Sequence, residues 1–375
     1  MIELPDGALL SDYTSATANG VTTLTNGNHS ITYTAAGTGP QIGDDVDVDG
    51  DTDPTTPTVP PVPPEHTTTG TPEVASTAKV GTPEADVLIG TAGKDDIVAH
   101  AGDDVIIGAG DTDTVLGGDG ADFINAGDGS DIVFGEAGDD TIFGGTGADL
   151  LYGNAGNDRI FGDAGDDMLA GGAGDDLISG GAGDDVFVAE TGDGNDVYFG
   201  DEASGGSGLD TLNMSSIASA ITVDLGNGNL NAGYASSATS GNDTLWGIEN
   251  VTTGSGADTI SASNAANILN GGAGNDTFKF TSAMAANGDT IVGFQTGDRI
   301  DLSGIDANSG AAGDQAFTLV TGAALTGAGQ LIVTHETRAD GDHTVVEGDA
   351  DGNNVADFRI DLIGSHNLTS TDFNL

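Results

Sequence analysis

A nine-residue pattern repeats twelve times, without insertion or deletion, between Gly81 and Val188. Glycine fills most first and fourth positions, the sixth position is always aspartate, and the eighth is always apolar. The residues that replace glycine at these positions are Ala99, Ala126, Glu84 and Asp111. Glycine permits backbone with positive φ, and a strand buries every second side chain. The pattern therefore predicts short strands joined by tight loops that each carry one carboxylate.

Two sets of residues follow from this phase. The sixth positions are Asp86, Asp95, Asp104, Asp113, Asp122, Asp131, Asp140, Asp149, Asp158, Asp167, Asp176 and Asp185. The eighth positions are Leu88, Ile97, Ile106, Val115, Ile124, Val133, Ile142, Leu151, Ile160, Leu169, Ile178 and Phe187. We expect the eighth positions to point inward and form the core. With two repeats to a turn, the twelve repeats predict about six turns and two sheets, an odd sheet from odd-numbered repeats (beginning with 81–89) and an even sheet from the others.

The charge of the chain indicates which ligands it attracts. Its 375 residues include 60 acidic and 7 basic ones, a net charge of −53. Nucleic acid and anionic membrane are repelled by such a surface, so cations are the expected partners. Cysteine is absent, which excludes disulfides and thiolate metal sites and leaves oxygen ligands for a hard cation. No apolar run approaches the roughly 18 residues of a membrane span.

The repeat resembles the G-G-x-G-x-D-x-U-x nonapeptide of the RTX family. The resemblance implies an all-β fold, a right-handed parallel β-roll in which each glycine-rich half-turn holds Ca²⁺ between the sixth-position aspartates and loop carbonyl groups of stacked repeats. The twelve aspartates above are then metal ligands. Because these carboxylates repel one another, we expect an unfolded calcium-free chain that folds cooperatively as Ca²⁺ binds. The alternative, a disordered acidic linker, does not explain the invariant apolar eighth position.

The repeat phase breaks where Ala189 and Glu190 displace the next unit by two residues. Asp196, in the displaced unit, is a further predicted ligand. The phase returns for three units between residues 253 and 279, where Asp258 and Asp276 occupy sixth positions. We therefore expect the main roll to span 81–199, and a region of irregular strands with a second short, irregular β-roll to span 200–280.

Residues 281–375 resemble the C-terminal domain of the serralysin metalloproteases, including the tail Asp372-Phe373-Asn374-Leu375. The resemblance implies a β-rich domain that carries an uncleaved signal for type I export, which fits the lack of a secretory signal at the N-terminus. Within it, four oxygen-bearing side chains have the spacing of a calcium loop and are predicted ligands: Asp349, Asp351, Asn353 and Asp357. A polar turn is the alternative, because Asn354 stands where glycine is expected.

The N-terminal part is read as two segments. Residues 1–38 predict a small β element, since Asn26-Gly27 separates two threonine-rich runs. Residues 39–80 are acidic and then rich in proline and threonine, as in an extended linker. Asp45, Asp47 and Asp49 match the start of an EF-hand loop, but Thr56 replaces the required glutamate, which favours a solvated acidic spacer.

A search for catalytic motifs finds none. His335-Glu336 is the only His-Glu pair, and Ala339 occupies the place of the second zinc-binding histidine of a metalloprotease. No nucleophile elbow or phosphate-binding lysine loop occurs, and the other histidines are scattered. We therefore expect a protein that is not an enzyme. A catalytic N-terminal part is disfavoured because about half of those residues are linker.

The outward seventh and ninth positions of the roll are unusually apolar. In the even sheet they include Val98, Leu116, Ile132, Phe134, Leu150, Tyr152, Met168, Val186 and Val188. In the odd sheet they include Val87, Ile89, Val105, Ile107, Phe123, Phe143, Phe161 and Leu177. Such surfaces predict contacts, either with other parts of the chain or with another copy.

These observations predict a secreted calcium-binding structural protein of a Gram-negative bacterium, extracellular or at the cell surface. We expect it to pass through the type I secretion machinery and to self-associate into a homo-oligomer or filament. The alternative is a monomeric, calcium-stabilised module that binds polysaccharide or a cell surface. A fragment of, or accessory to, a secreted enzyme is less favoured.

Overall fold

The computed structural model describes residues 14–18, 21–26, 29–34, 78–201, 208–226, 232–321 and 324–375, all in strands, turns and irregular backbone. Near the N-terminus, Thr14–Ala18, Val21–Asn26 and His29–Thr34 form an antiparallel sheet. Asn26, which the sequence placed in a turn, is paired with His29 in this sheet. The acidic stretch that contains Asp45, Asp47 and Asp49 lies outside the described residues. No described segment is a helix long and apolar enough to cross a membrane.

From Lys79 onward the described strands form two long sheets. The even sheet contains, in spatial order, Lys79–Val80, Asp96–Ala101, Thr114–Asp119, Ile132–Ala137, Leu150–Ala155, Met168–Ala173, Val186–Val188, Thr211–Asn213, Asn250–Thr252, Ile268–Asn270, Asp289–Val292, Phe358–Ile363, Gly341–Asp349, Gln330–Arg338 and Thr318–Leu319. The odd sheet contains Val87–Ile89, Val105–Gly110, Phe123–Asp128, Thr141–Thr146, Arg159–Ala164, Leu177–Ala182, Val197–Asp201, Gly241–Trp246, Gly233–Ser237, Ile221–Asp224, Thr259–Ser261, Thr277–Lys279, Arg299–Asp301 and Phe373–Asn374.

Strands of the repeat region are parallel to their neighbours and are offset by two repeats. In the even sheet Ile132 pairs with Leu150, and in the odd sheet Ile142 pairs with Ile160. Hydrogen bonds between successive turns likewise join residues 18 apart. Because this offset equals two nonapeptides, the prediction of two repeats per turn, and so of six turns for the twelve repeats, is confirmed.

The core lies between the two sheets and follows the eighth positions. From Ile97 to Phe187 every eighth-position side chain is fully buried, while Leu88 in the first repeat is partly buried against the same cluster. Side chains of successive turns stack at this position because parallel pairing brings equivalent residues together. The predicted core is confirmed.

The break in the repeat phase does not interrupt the sheets. In the even sheet, Val186–Val188 pairs with Thr211–Asn213, which pairs with Asn250–Thr252. In the odd sheet, Val197–Asp201 pairs with Gly241–Trp246. The predicted second roll therefore stacks directly on the first and shares its core.

One local change of direction accommodates the extra residues of the odd sheet. Gly233–Ser237 runs antiparallel between Gly241–Trp246 and Ile221–Asp224. Ile221–Asp224 then resumes parallel pairing with Thr259–Ser261. The irregular sequence between the two repeat regions thus forms a hairpin and a returning strand within one sheet.

The C-terminal residues complete both sheets. Gln330–Arg338, Gly341–Asp349 and Phe358–Ile363 form an antiparallel meander, and Phe358–Ile363 pairs in parallel with Asp289–Val292. Phe373–Asn374, in the tail, pairs with Arg299–Asp301 of the odd sheet. The C-terminal part is therefore continuous with the roll.

The outward faces of the two sheets differ. Phe134, Tyr152 and Val188 of the even sheet are at most 7% exposed, in a second apolar cluster. Of the two alternatives for these ninth positions, contact within the chain therefore holds in the even sheet. Neighbouring turns contribute to it, since the rings of Phe134 and Tyr152 stack 5.0 Å apart. In the odd sheet, Val87 and Ile89 remain 68% and 58% exposed, as expected.

Candidate metal sites

The sixth-position aspartates form two columns, one along each row of loops. The backbone N–H of each aspartate donates a hydrogen bond to Oδ1 of the aspartate one turn further on, as from Asp113 to Asp131 at 2.7 Å. The odd column contains Asp86, Asp104, Asp122, Asp140, Asp158, Asp176, Asp196 and Asp243. The even column contains Asp95, Asp113, Asp131, Asp149, Asp167, Asp185 and Asp210. Every loop is therefore tied to the next by one carboxylate oxygen.

The other carboxylate oxygen, Oδ2, has no hydrogen-bond partner at ten consecutive sixth positions. These are Asp104, Asp113, Asp122, Asp131, Asp140, Asp149, Asp158, Asp167, Asp176 and Asp185. Their side chains are between 0 and 3% exposed. A buried carboxylate oxygen without a partner is strongly unfavourable unless a positive charge is nearby. The described residues thus present two rows of oxygen ligands that fit a hard divalent cation such as Ca²⁺.

The raised pKa values of these carboxyl groups are consistent with the same need for positive charge. Burial, together with neighbouring carboxylates, raises the pKa of Asp140 and Asp158 to about 7. It raises the pKa of Asp122 to about 6, although the N–H of Asp104 opposes the shift. A bound cation would stabilise the charged form of these carboxylates, which burial disfavours.

Asp86 and Asp95, in the first turn, differ from this pattern. The N–H and Oγ1 of Thr82 donate to Oδ2 of Asp86 at 2.5 and 2.8 Å, and Thr91 does the same for Asp95 at the same two distances. The N–H and the hydroxyl of Thr82 lower the pKa of Asp86. Burial acts to raise the pKa of Asp95, but Thr91 and the Lys79 ammonium outweigh it, so the net shift is downward.

Beyond the break, the structure places four residues in the columns that the repeat pattern missed: Asp210, Asp243, Asp289 and Asp298. Each is followed two residues later by a buried apolar residue, a short Asp-x-apolar signal that survives the loss of phase. Of the predicted ligands in this region, Asp258 and Asp276 each have an unpartnered Oδ2. Asp196 does not, because the hydroxyl of Tyr198 donates to its Oδ2 at 3.0 Å.

The predicted calcium loop near the C-terminus follows Gly341–Asp349. Carboxylate oxygens of Asp349, Asp351 and Asp357 lie within 4.8 Å of one another, and Asp349 is fully buried. Asn353 is the fourth predicted ligand; its side-chain amide donates to Asp351 at 3.0 Å and its Oδ1 accepts the N–H of Val355. The structure therefore gathers three of the four residues and holds the fourth against one of them.

The only His-Glu pair of the sequence is engaged in contacts within the meander. His335 Nε2 lies 3.0 Å from the carbonyl oxygen of His366. Glu336 forms ion pairs with Arg338 at 2.8 Å and Arg359 at 3.0 Å. Arg359 lies two strands from Glu336, so their ion pair spans Gly341–Asp349, the middle strand of the meander.

The glycine found at the fourth position of most loops allows the turns to stack closely. Gly147 has a φ of +123°, and a Cβ there would lie 1.7 Å from the carbonyl oxygen of Gly129, one turn earlier. Gly93 occupies the same position in the second repeat, yet no described atom lies within 4 Å of its Cβ position. The two glycines therefore differ in two respects: only Gly147 has a positive φ, and only Gly147 lies against the preceding turn.

We expect Gly147→Ala to destabilise the calcium-loaded protein by at least about 1–3 kcal/mol, from the backbone strain alone. Gly93→Ala should change the free energy of unfolding by less than about 0.5 kcal/mol. Denaturant unfolding followed by circular dichroism at saturating calcium measures both. Equal effects of the two substitutions would contradict the argument that positive φ and close stacking together require glycine at position 147.

Comparison with known families agrees with this geometry. Residues 80–198 match the model of the RTX calcium-binding nonapeptide repeat (4 copies) in six overlapping stretches. The class of protein that the fold and the two carboxylate columns resemble is thus the RTX β-roll, and this part of the chain matches its calcium-binding repeat. Residues 202–375 match the Peptidase M10 serralysin C-terminal model. More particularly, then, the chain joins RTX repeats to a serralysin-type C-terminal domain. Neither matched segment is a catalytic domain, which fits a non-enzymatic protein.

Two solved structures are similar to the chain at low identity. The AlgE6R3 subunit from the Azotobacter vinelandii mannuronan C5-epimerase is 18% identical, with 80% of this chain and 82% of that chain covered and a TM-score of 0.15. The extracellular lipase LipA from Serratia marcescens is 14% identical, with 66% of this chain and 40% of that chain covered and a TM-score of 0.20. No curated protein sequence is a significant match.

Proposed function

We propose that this is an extracellular structural protein of a Gram-negative bacterium whose roll folds on binding Ca²⁺ outside the cell. The observation that carries the proposal is the pair of columns of buried aspartates with an unpartnered Oδ2. Bound Ca²⁺ supplies the positive charge that these oxygens lack. The ligands are the ten aspartates from Asp104 to Asp185 whose Oδ2 is unpartnered, followed by Asp258 and Asp276.

The hydrogen bonds within each column make the folding cooperative. Oδ1 of Asp131 accepts the N–H of Asp113 while its Oδ2 faces the proposed ion, so one side chain connects ligand binding to the stacking of two turns. A turn whose carboxylates are not neutralised repels the turns on either side. We therefore infer that calcium-free chains have no stable roll at neutral pH, and that circular dichroism with calcium and then with a chelator tests this inference.

Calcium dependence also fits the proposed export route. Calcium sites of extracellular modules have dissociation constants of about 10⁻⁴–10⁻³ M, far above cytosolic calcium levels. The chain would then stay unfolded in the cytosol, pass the type I secretion machinery in that state, and fold outside. In support, the repeats are followed by a serralysin-type C-terminal domain.

We include the loop of Asp349, Asp351, Asn353 and Asp357 as a further proposed calcium site. Three carboxylates within 4.8 Å of one another repel strongly unless a cation or protons lie between them. The loop leaves the meander at Asp349 and returns to it at Phe358, so a cation there would fix the connection between two strands.

Self-association is proposed through the outward face of the odd sheet. In its first turns Val87, Ile89 and Phe123 are 68%, 58% and 42% exposed. None of the seventh or ninth positions of the odd-numbered repeats is acidic, although the chain has 60 acidic residues. A second copy can therefore approach this face without direct charge repulsion, and burying it removes apolar area from water.

We expect the parent protein to form oligomers at millimolar calcium, measured by light scattering over a range of concentrations. The variant Val87→Thr/Ile89→Thr/Phe123→Thr should associate at least about tenfold more weakly, because it loses apolar contact area and keeps β-favouring residues. Met284→Thr, which alters a side chain that is 65% exposed elsewhere, should behave like the parent. A parent that stays monomeric would refute self-association.

A calcium-stabilised module that binds polysaccharide is the second candidate. A cavity of about 600 Å³ beside the proposed calcium loop is lined by Ser282, Asn287, Asp306 and Asp351, among others. Such hydroxyl, amide and carboxylate groups are suited to hydrogen-bonding sugar hydroxyls. Calcium-dependent glycan binding by a monomeric protein would favour this candidate over self-association.

A further inference from the structure

Three aspartates of the columns, Asp86, Asp95 and Asp196, have an Oδ2 that accepts hydrogen bonds from side chains or backbone of the chain. Oδ2 of Asp86 accepts two hydrogen bonds from Thr82, and Oδ2 of Asp95 accepts two from Thr91. Oδ2 of Asp196 accepts the phenol hydroxyl of Tyr198. At the ten positions from Asp104 to Asp185 the same oxygen has no partner.

The two threonines lie where the stack begins. Oδ1 of each later aspartate receives an N–H from the loop one turn earlier, whereas no described residue donates a backbone N–H to Asp86 or Asp95 from an earlier turn. The open space above Gly93 agrees with this. Lys79 also contributes a positive charge, with Nζ 3.2 Å from Oδ1 of Asp95. Among the described residues, each first-turn carboxylate thus has local donors and no loop from an earlier turn beside it that could hold an ion in common with it.

Tyr198 lies where the repeat phase breaks. It occupies an inward position equivalent to the eighth position of a repeat, pairing with Ile178, and is fully buried. The eighth positions of the twelve repeats are all apolar, so a hydroxyl group at this position is unusual. The Tyr198 hydroxyl donates its hydrogen bond to Asp196. Oδ1 of Asp196 accepts the N–H of Asp176 as elsewhere in the column.

We propose that Asp86, Asp95 and Asp196 bind no calcium, and that hydroxyl groups of Thr82, Thr91 and Tyr198 replace the ion at these positions. This inference rests on the proposed function, since it assigns which carboxylates of the columns are ligands. On this proposal, hydrogen bonds take the place of ions in the first turn of the roll. The odd column also has one position without an ion, at the junction of the two repeat regions.

The test is the number of calcium ions bound per chain at saturating calcium, measured on the full chain by equilibrium dialysis with atomic emission. Asp86→Asn/Asp95→Asn should bind as many ions as the parent. The matched control, Asp104→Asn/Asp113→Asn, changes the next residue of each column and should lose up to two ions or require at least about tenfold more calcium. Loss of ions by the first-turn variant would overturn the proposal for Asp86 and Asp95.

Tyr198→Phe tests the third position in the opposite direction. Removing the hydroxyl leaves Oδ2 of Asp196 unpartnered, as at the other column positions, so the variant should bind one more ion than the parent. An unchanged count would overturn the assignment of Asp196. A parent that binds no calcium at all would instead refute the proposed function, so the two failures are distinguishable.

Circular dichroism of each variant shows whether its roll is folded. If the matched control does not fold, the ion count of the first-turn variant is compared with that of the parent alone.

Discussion

Withdrawal of calcium with excess EGTA at pH 7.5 is expected to abolish the β-sheet circular dichroism signal of the roll. At that pH the ten interior aspartates are buried without partners for Oδ2, and each is one turn from another carboxylate. The chain, with a net charge of −53, has few cations of its own to offset them. Restoring calcium should restore the signal and a cooperative thermal transition.

Magnesium provides the control for this experiment. It demands a smaller, nearly octahedral site and gives up water reluctantly, so equal magnesium should not restore the roll. We expect the protein in EGTA to show no cooperative thermal unfolding transition. A β-rich state that melts equally in EGTA and in calcium would show that the carboxylate columns do not need a cation.

Acidification is expected to restore part of the roll in the absence of calcium. Burial raises the pKa of Asp149, Asp176 and Asp185 to about 7 in the folded chain, from an ordinary value of 3.8. The folded state therefore binds more protons than the unfolded state between these values. Stability of the calcium-free roll is then greatest at low pH and is lost as pH rises from about 4 through 7.

Circular dichroism in EGTA should thus show more β-structure at pH 5 than at pH 8, measured above the pI of about 4.1 to limit precipitation. Asp140→Asn imitates the protonated side chain and should raise the calcium-free signal at pH 8. Asp139→Asn changes an exposed neighbour that accepts the N–H of Asn157, and should have no such effect. A calcium-free protein more structured at pH 8 than at pH 5 would contradict the burial of these carboxylates.

The repeat phase was sufficient to predict the roll, because the apolar eighth position and the sixth-position aspartate are both set by the local sequence of each repeat. An apolar eighth position such as Ile142 must point inward, and Asp140 two residues earlier must then lie in the loop. Pairing at two repeats per turn followed from the same phase. These features need no information about distant residues.

The features that the repeat phase did not predict depend on pairing between residues far apart in the sequence. Asp243 joins the odd column next to Asp196, although the two residues are 47 apart. A returning strand between them restores the register, and no local pattern specifies its length. The second apolar cluster was missed for a related reason, since the burial of Phe134 depends on Tyr152 one turn away and not on its own strand.

Pairing at a constant offset of 18 residues restricts how the repeat region can change in length. Removing two consecutive nonapeptides shortens the stack by one rung and leaves every later residue in its own sheet and column. Removing one nonapeptide moves every later strand into the opposite sheet. Later strands of the even sheet, with its covered aromatic side chains, would then pair with earlier strands of the odd sheet, whose apolar side chains are exposed. Viable length variants of this protein should therefore differ by even numbers of repeats.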